Sequence, residues 1–311
     1  MVREIDVAAT FTVDDAYFGR VCGDGFVVVS DDGVLNLLDG RLRPLRRLDL
    51  GGRVTDLSIA GEAWAWVVDD RLWLGDPFEG GGTAVPLAGE SACRWLPGGQ
   101  ELWTAYGTGD EVRVELRTAD GRVSRAVTVP DAFRDSMVRV RKHPHDRTAV
   151  LWLMAEQDGQ QSWLVRDDGY ALTAEHLPAD NCLPAQFTPA GDWFLTADDD
   201  RLTRLSWPDP VELGVLKWAD VDPRGAADGS DSPGGCLMAL PGGFVSWSSE
   251  SGRLYTVDPT TMSVVDEIAL TGVEGEFVYA VPGAGGNVLS VYDRRTLVLS
   301  ALRDWSPDPD R

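Results

Sequence analysis

The chain has 311 residues with 50 acidic and 28 basic side chains, which gives a formal net charge of −22 at pH 7. A field of this sign repels phosphate backbones and anionic membrane surfaces, so nucleic acid and membranes are excluded as expected partners. The chain is 43% apolar and contains 12 Trp, which is enough to build a large core and excludes global disorder.

The N-terminus predicts a cytoplasmic protein. Arg3, Glu4 and Asp6 stand where a signal peptide would need an apolar run. No stretch reaches the about 18 consecutive apolar residues that a membrane helix requires. Only Lys142 and Lys217 are lysines, and the other basic residues are Arg, a bias typical of GC-rich bacterial genomes. We therefore expect a bacterial cytoplasmic protein.

Short runs of alternating apolar and polar residues follow one another along the whole chain. They include VTDLSIA, AWAWVV, RLWLGD, FVSWSS and RLYTVD, bounded by Gly, Pro and Asp. Alternation with a period of two is typical of half-buried β-strands, and helical periodicity is almost absent. The pattern predicts an all-β chain.

One phrase of strands and turns recurs seven times. An apolar strand and a Pro or Gly turn precede a second strand that often carries Trp, then an acidic turn, a third strand ending near Asp, and a fourth strand. Seven copies in 311 residues average about 44 residues, the length of a four-stranded propeller blade. We predict a single domain, residues 1–311, folded as a seven-bladed β-propeller of four-stranded antiparallel blades. The predicted blades span residues 14–53, 54–90, 91–136, 137–182, 183–233, 234–272 and 273–305, with approximate limits.

The two ends of the chain are predicted to complete one blade together. The last copy ends after its third strand, TLVLSAL, and lacks an outer strand. The segment REIDVAATF, residues 3–11, is a strand without a place in the first repeat. We expect this N-terminal strand to pair onto the last blade and close the ring, which covers an open sheet edge.

Tryptophans recur on one side of the predicted second strands. Counted from the turn before each strand, they fall at even positions, so their rings project from the same face. They are Trp64, Trp66, Trp103, Trp152, Trp193 and Trp247. We interpret them as packing between neighbouring blades, and carbohydrate binding through exposed Trp is the alternative.

The third strands end in a way that resembles a known superfamily. They end at Asp39-Gly40, Asp76-Pro77, Asp120-Gly121, Asp168-Gly169, Asp209-Pro210 and Asp258-Pro259. The stretch LYTVDPTTMSVVDEIAL, residues 254–270, resembles the YVTN-type repeat. Together these features resemble the WD40 and YVTN-like bacterial β-propellers, which implies a propeller fold. The Gly-His and Trp-Asp pairs of WD40 repeats are missing here, so the hydrogen-bonded tetrad of that family is not carried over.

The stretch RKHPHDRTAV, residues 141–150, holds two of the three histidines of the chain. It aligns with the Pro or Gly turns of the other repeats, so a plain turn is predicted, because Pro presets φ and Asp bonds its own backbone. The alternative is an acid/base or metal site, for which Arg141, His143 and His145 are the catalytic candidates. Cys22, Cys93, Cys182 and Cys236 form no C-x-x-C pair. We expect no metal and no cofactor.

Acidic residues mark the turn after the second strand of each repeat. The predicted rim residues are Asp32, Asp70, Asp110, Asp158, Asp199, Glu250 and Asp293. The longest connection between blades, residues 219–235, is expected at the same rim. A ring of carboxylates attracts a protein partner with a basic surface. The alternative is that these are solvated turns.

Arginines on the predicted innermost strands form a second candidate site. Arg94, Arg139 and Arg141 share one parity on adjacent blades, which places them near the central channel. Guanidinium groups bind carboxylates and phosphates in two-point fashion, so these residues predict a site for an anionic ligand. The alternative is internal pairing with nearby Asp.

These features predict a monomeric, non-catalytic interaction module that binds a protein partner through its acidic rim. The alternative is a propeller enzyme, a lyase, hydrolase or natural-product cyclase, with a small-molecule site at the mouth of the central channel. Carbohydrate binding through exposed Trp is the third hypothesis. Propellers host unrelated activities, so the fold by itself does not choose between them.

Overall fold

A computed structural model provides the structure of the protein. It describes residues 2–14, 16–23, 25–87, 91–107, 111–132, 136–155, 159–177, 183–188, 190–198, 200–221, 238–240, 243–248, 253–271, 277–283, 286–293 and 296–302. In this described part of the chain there are 28 strands, so the predicted all-β class is confirmed.

The chain begins with β1 (Val2–Asp14) and continues into five four-stranded antiparallel sheets whose strands follow chain order. The first sheet contains β2 (Ala16–Cys22), β3 (Gly25–Ser30), β4 (Val34–Leu38) and β5 (Pro44–Asp49). The second contains β6 (Val54–Ala60), β7 (Ala63–Val68), β8 (Arg71–Leu74) and β9 (Thr83–Pro86). The third contains β10 (Ser91–Trp95), β11 (Glu101–Gly107), β12 (Val112–Thr118) and β13 (Val123–Val129). The fourth contains β14 (Met137–Lys142), β15 (Thr148–Ala155), β16 (Gly159–Asp167) and β17 (Leu172–Leu177). The fifth contains β18 (Leu183–Phe187), β19 (Trp193–Ala197), β20 (Arg201–Ser206) and β21 (Glu212–Lys217).

The remaining strands form an eight-stranded sheet that includes β1. They are β22 (Met238–Leu240), β23 (Gly243–Ser248), β24 (Arg253–Asp258), β25 (Ser263–Thr271), β26 (Phe277–Gly283), β27 (Gly286–Asp293) and β28 (Thr296–Leu302). The order in this sheet is β22-β23-β24-β25-β1-β28-β27-β26. Strand β1 runs parallel to β25 through Val2–Asp6 and antiparallel to β28 through Val7–Asp14.

Helical structure is limited to two short segments in the described residues. A 3-10 helix spans Pro77–Glu79 and is capped by Asp76, whose side chain accepts the N–H of Phe78 at 2.8 Å. The α-helix α1 spans Trp218–Val221. A search of the described residues finds no helix with the length and apolar character needed to cross a bilayer.

The chain divides into two compact units. One comprises Met1–Ser30, Asn36–Leu45 and Ala185–Arg311, and the other comprises Asp31–Leu35 and Arg46–Pro184. The sites discussed below lie in the second unit.

Burial follows the position of a strand in its sheet. The middle strands are buried along nearly their whole length, as in β7 and β11, whereas the fourth strands β5 and β13 are mostly exposed. Near-continuous apolar runs are expected where both faces of a strand are covered. This burial explains why AWAWVV and ELWTAYG are so rich in apolar residues.

Neighbouring sheets of the second unit pack their apolar faces together. One core cluster joins Trp103 and Leu116 of the third sheet to Val138 and Leu151 of the fourth. Trp103 is fully buried in it. The interpretation of this tryptophan as packing between sheets is confirmed.

Candidate functional site

Two acidic turns lie in the second unit, each after the second strand of its sheet. Asp31 and Asp32 connect β3 to β4, and Asp69 and Asp70 connect β7 to β8. All four residues are exposed. We call these four residues the acidic turn pair. Of the other predicted rim residues, Asp110, Asp158, Asp199 and Glu250 lie outside the described residues, and Asp293 is described only as backbone at the end of β27.

Two glycines, Gly33 and Gly52, let the two turns of the pair pack closely together. Gly33 has a φ of +86°, and a Cβ there would lie 1.8 Å from the carbonyl oxygen of Gly52. A Cβ at Gly52 would in turn lie 2.2 Å from Oδ2 of Asp69. Arg53 completes the junction, with Nε 3.3 Å from Oδ1 of Asp31. Gly33 is required because a side chain there would clash with the backbone of Gly52, whereas a side chain at Gly52 would displace the side chains of Asp69 and Val68.

The second turn holds its carboxylates in an unusual backbone conformation. Asp69 and Asp70 have φ values of +46° and +59°, the left-handed region at both central positions of a two-residue hairpin. Such turns prefer Asn-Gly or Asp-Gly, and Asp tolerates this region better than most L-residues. The hairpin in AWAWVVDDRLWL is therefore strained at its two Asp residues, and it places two adjacent carboxylates in solvent.

The predicted anionic-ligand residue Arg94 forms an internal ion pair. Its Nη1 lies 2.5 Å from Oδ2 of Asp56, and the Asp56 side chain is only 3% exposed. Asp56 also accepts the backbone N–H groups of Cys93 and Leu57, each at 2.9 Å. Burial opposes the charge of Arg94, but the carboxylate outweighs it, so the pKa of Arg94 is held above its usual value. The alternative of internal pairing with an Asp thus holds for Arg94.

Side chains link the first strands of three successive sheets. Ser58 of β6 accepts the backbone N–H of Trp95 in β10 at 2.9 Å. On the other side, Nζ of Lys142 in β14 donates to the carbonyl oxygen of Trp95 at 2.6 Å. Burial and the positive charge of Arg94 lower the pKa of Lys142. Lys142 thus contacts the residue that follows Arg94, a juxtaposition that was not predicted from the sequence.

The other two arginines of the predicted ligand site lie on β14. Arg139 and Arg141 are both partly exposed, and Nη1 of Arg139 donates to the carbonyl oxygen of Val138 at 3.0 Å. They share the strand with Lys142, so β14 carries three cations within four residues. Arg94 and these three cations thus lie on the adjacent strands β10 and β14, with Arg139 and Arg141 on the opposite face of β14 from Lys142.

The pH dependence of Lys142 acylation is the first test of this arrangement. Because its pKa is lowered, the free amine forms below the pH at which a lysine ordinarily loses its proton, about 10.4. Replacing Arg94 by Gln removes a positive charge and should move the labelling profile to higher pH. Peptide mapping after brief acetic anhydride treatment at a series of pH values measures this, with the exposed Lys217 normalising the reagent. Identical Lys142 profiles in the two proteins would contradict the proximity of the two cations.

The histidine stretch is a turn between β14 and β15, as predicted. His143 is buried, and its Nδ1 accepts the backbone N–H groups of His145 at 3.2 Å and Asp146 at 2.9 Å. Asp146 accepts the N–H of Thr148 at 3.0 Å. His143 stabilises this turn in the way that Asn or Asp does in others.

The part of the chain that the structure describes contains no group of three or more His, Cys, Asp or Glu side chains placed to hold an ion. Cys22 and Cys93 are thiols that take no part in a disulfide in the described residues, and Cys182 and Cys236 lie outside them.

Comparison with known proteins supports the fold. No family model and no curated protein matches the sequence, whereas 1072 chains of solved structures match, so the architecture is a common one. One of them is the β-propeller domain of Cps50 (Swd1) from Myceliophteria thermophila, with a TM-score of 0.67 over 96% of this chain and 99% of that domain. The chain has a β-propeller fold. The propeller fold that the third strands imply is therefore confirmed, and at 13% identity the likeness to Swd1 is one of fold alone.

Proposed function

We propose that this WD40-like propeller is a non-catalytic interaction module that binds a protein partner with a basic surface through its acidic rim. The observation that carries this proposal is the acidic turn pair. Exposed carboxylates from two neighbouring sheets share one surface because Gly33 and Gly52 leave no side chain between their turns. Function in propellers depends on such surface features rather than on the fold.

The charge balance around the acidic turn pair favours a cationic partner. Asp49 is a further exposed carboxylate near the pair, and the nearby cations are Arg53 and Arg71. The net charge of this surface is therefore negative, in a protein that carries −22 overall. Such a field accelerates the encounter with basic proteins and disfavours acidic ones.

The wider proposal extends the rim around the propeller. Asp110, Asp158, Asp199, Glu250 and Asp293 would continue it on the later blades, and the connection 219–235 would lie beside them. We propose seven blades with the limits predicted above, the last of them completed by β1. The antiparallel register of Val7–Asp14 with β28 supports this closure. A bacterial cytoplasmic location and a monomeric state belong to the same proposal.

Charge reversal at the acidic turn pair tests the proposal. Asp32→Lys with Asp70→Lys should reduce partner capture at least about tenfold, because like charges across an interface cost several kcal/mol. Affinity capture from a bacterial lysate with quantitative mass spectrometry measures the loss, and the captured proteins should be basic and released by salt.

Glu62→Lys with Glu175→Lys is the matched control. It makes the same change in net charge at exposed positions, and Glu62 lies at the opposite end of β7 from Asp69. The interaction proposal fails if both double variants capture the same proteins to the same extent.

A second candidate function is binding of an anionic small molecule by the arginines of the first strands. We add Lys142 to Arg94, Arg139 and Arg141, because Nζ of Lys142 donates to the carbonyl oxygen of Trp95, the residue that follows Arg94. An anion bound there would raise the pKa of Lys142. Repeating the acylation series with inorganic phosphate tests this, and an unchanged profile counts against the site. A catalytic role for Arg141, His143 or His145 depends on the same site.

A further inference from the structure

A cavity lies beside the acidic turn pair, between the end of β5 and the β7–β8 hairpin. Its volume is about 570 Å³, and its walls include Asp49, Asp69, Arg71, Trp66 and Trp73. Ligand pockets in proteins typically measure about 300–1000 Å³. A second cavity of about 490 Å³ shares Asp69 and Arg71 with the first and is also lined by Ala84 and Pro86 of β9. The larger one has the aromatic wall.

Two parallel tryptophans form that wall. Trp66 of β7 and Trp73 of β8 are directly opposite each other in the sheet. Their ring planes lie within 8° of parallel, with centroids 6.3 Å apart. Trp66 is 3% exposed, whereas Trp73 is partly exposed and contributes ring surface to the cavity. The face of a Trp ring attracts cations because of its quadrupole.

Two carboxylates at the cavity are held in place by the backbone. Oδ1 of Asp49 accepts the N–H of Gly51 at 2.8 Å. Oδ2 of Asp69 packs against Gly52, where a Cβ would lie 2.2 Å away. Arg71 is the one cation in the lining, so the wall carries a net negative charge. Leu48, Val68 and Pro77 provide apolar surface between the charged groups.

This set of groups matches a long cationic side chain. Arginine and lysine have an apolar stem that packs on aliphatic surface and a charged end that needs a carboxylate or an aromatic face. Strand β5, which ends at Asp49, already contains an arginine bound in this way. Arg46 of β5 has its guanidinium carbon 5.0 Å from the ring centroid of Phe78, and its Nη1 lies 2.9 Å from Oε1 of Glu79. An aromatic ring with a carboxylate is therefore an arginine-binding combination in this part of the protein.

We propose that the cavity of Trp66, Trp73, Asp49 and Asp69 receives an arginine or lysine side chain from a basic segment of the partner. The inference rests on the proposed function and specifies where on the acidic rim the partner is anchored. Asp69 belongs to both the acidic turn pair and the cavity, so the rim attracts the basic segment and the cavity holds one of its side chains.

Binding of a fluorescently labelled peptide of alternating glycine and arginine tests the proposal. Fluorescence anisotropy at low salt gives the affinity, and the same peptide with citrulline in place of arginine has the shape without the charge. The citrulline peptide should bind at least about tenfold more weakly, because it lacks the charge that both the ring face and the carboxylates attract. Trp73→Ala should weaken binding of the arginine peptide about fivefold or more, and Trp73→Phe should weaken it less.

The carboxylates are tested by Asp49→Asn with Asp69→Asn, which should weaken binding about tenfold. Asn suits the positive φ of residue 69, so this double variant is expected to fold. If Trp73→Ala does not fold, the double Asn variant still tests the cavity. Trp152→Ala and Asp168→Asn are the controls, since Trp152 in β15 is partly exposed, Asp168 in the β16–β17 turn is exposed, and both lie outside the cavity lining.

The outcomes separate the cavity from the rim. If Asp32→Lys with Asp70→Lys weakens peptide binding and the cavity variants do not, the cavity proposal is wrong and the rim proposal stands. If none of these variants weakens binding, both are wrong. Equal binding of the citrulline peptide, or competition by a neutral maltooligosaccharide, shows a neutral occupant and overturns the cationic site.

Discussion

Glu115→Ala is expected to lower the free energy of unfolding by about 3–5 kcal/mol, because it leaves buried cationic and polar groups without their anion. The Glu115 side chain is 4% exposed and lies in the middle of β12. It accepts hydrogen bonds from Tyr106 at 2.9 Å and from Arg113 at 2.8 Å, and it pairs with the buried Arg117. Burial, and then the hydrogen bond and charge of Glu115, raise the pKa of Tyr106.

Urea unfolding followed by circular dichroism measures this change. Glu175→Ala removes an exposed Glu from β17 and should alter stability by less than about 0.5 kcal/mol. Replacing the pair together, with Glu115→Leu and Arg117→Met, should recover part of the loss, since both buried charges of the pair are then gone. A Glu115→Ala protein as stable as the Glu175→Ala control would show that the ion network has no net role in stability.

Asp56→Ala is expected to have a loss of similar size, about 3–5 kcal/mol, through a different route. It leaves the guanidinium of Arg94, which is 12% exposed, without its carboxylate. It also removes the acceptor for the N–H groups of Cys93 and Leu57. The effect should be large because β6 and β10 belong to different sheets, so the carboxylate joins neighbouring sheets as well as neutralising a charge.

A double-mutant cycle isolates that pair. Asp56→Asn keeps an acceptor and should be less destabilising than Asp56→Ala. Adding Arg94→Met to Asp56→Ala should restore part of the stability, because the buried charge is then gone. Strict additivity of the Asp56 and Arg94 substitutions would contradict a coupled ion pair.

Much of the local structure was predictable from the sequence. The alternation in VTDLSIA and AWAWVV predicted β6 and β7, and both strands are present. The turn at His143 was predicted from Pro144 and Asp146. It is held by hydrogen bonds from the backbone N–H groups of His145 and Asp146 to the His143 side chain, which span only two and three residues. Such features depend on φ preferences and short-range bonding, which are local properties of the chain.

The candidate site was predictable in its residue types and not in its arrangement. Asp32 and Asp70 were expected at turns. That the two turns lie side by side depends on the close packing of Gly33 against Gly52, and no residue pattern in either turn predicts this packing. An Asp in the apolar strand VTDLSIA was the one available signal for Asp56. It did not show that its partner would be Arg94, which is 38 residues away.

The sequence by itself determined the strands, their turns and the recurring strand-and-turn pattern, because those depend on the period of apolar residues and on the conformations that Gly, Pro and Asp allow. Only the tertiary structure decided which charges neutralise one another and which carboxylates meet beside Trp73. Those outcomes depend on how one sheet packs against the next. A shift of one strand by a single residue would turn every side chain of that strand to the opposite face of its sheet. Which side chains meet between sheets therefore depends on the register of each strand, and packing of the sheets fixes that register.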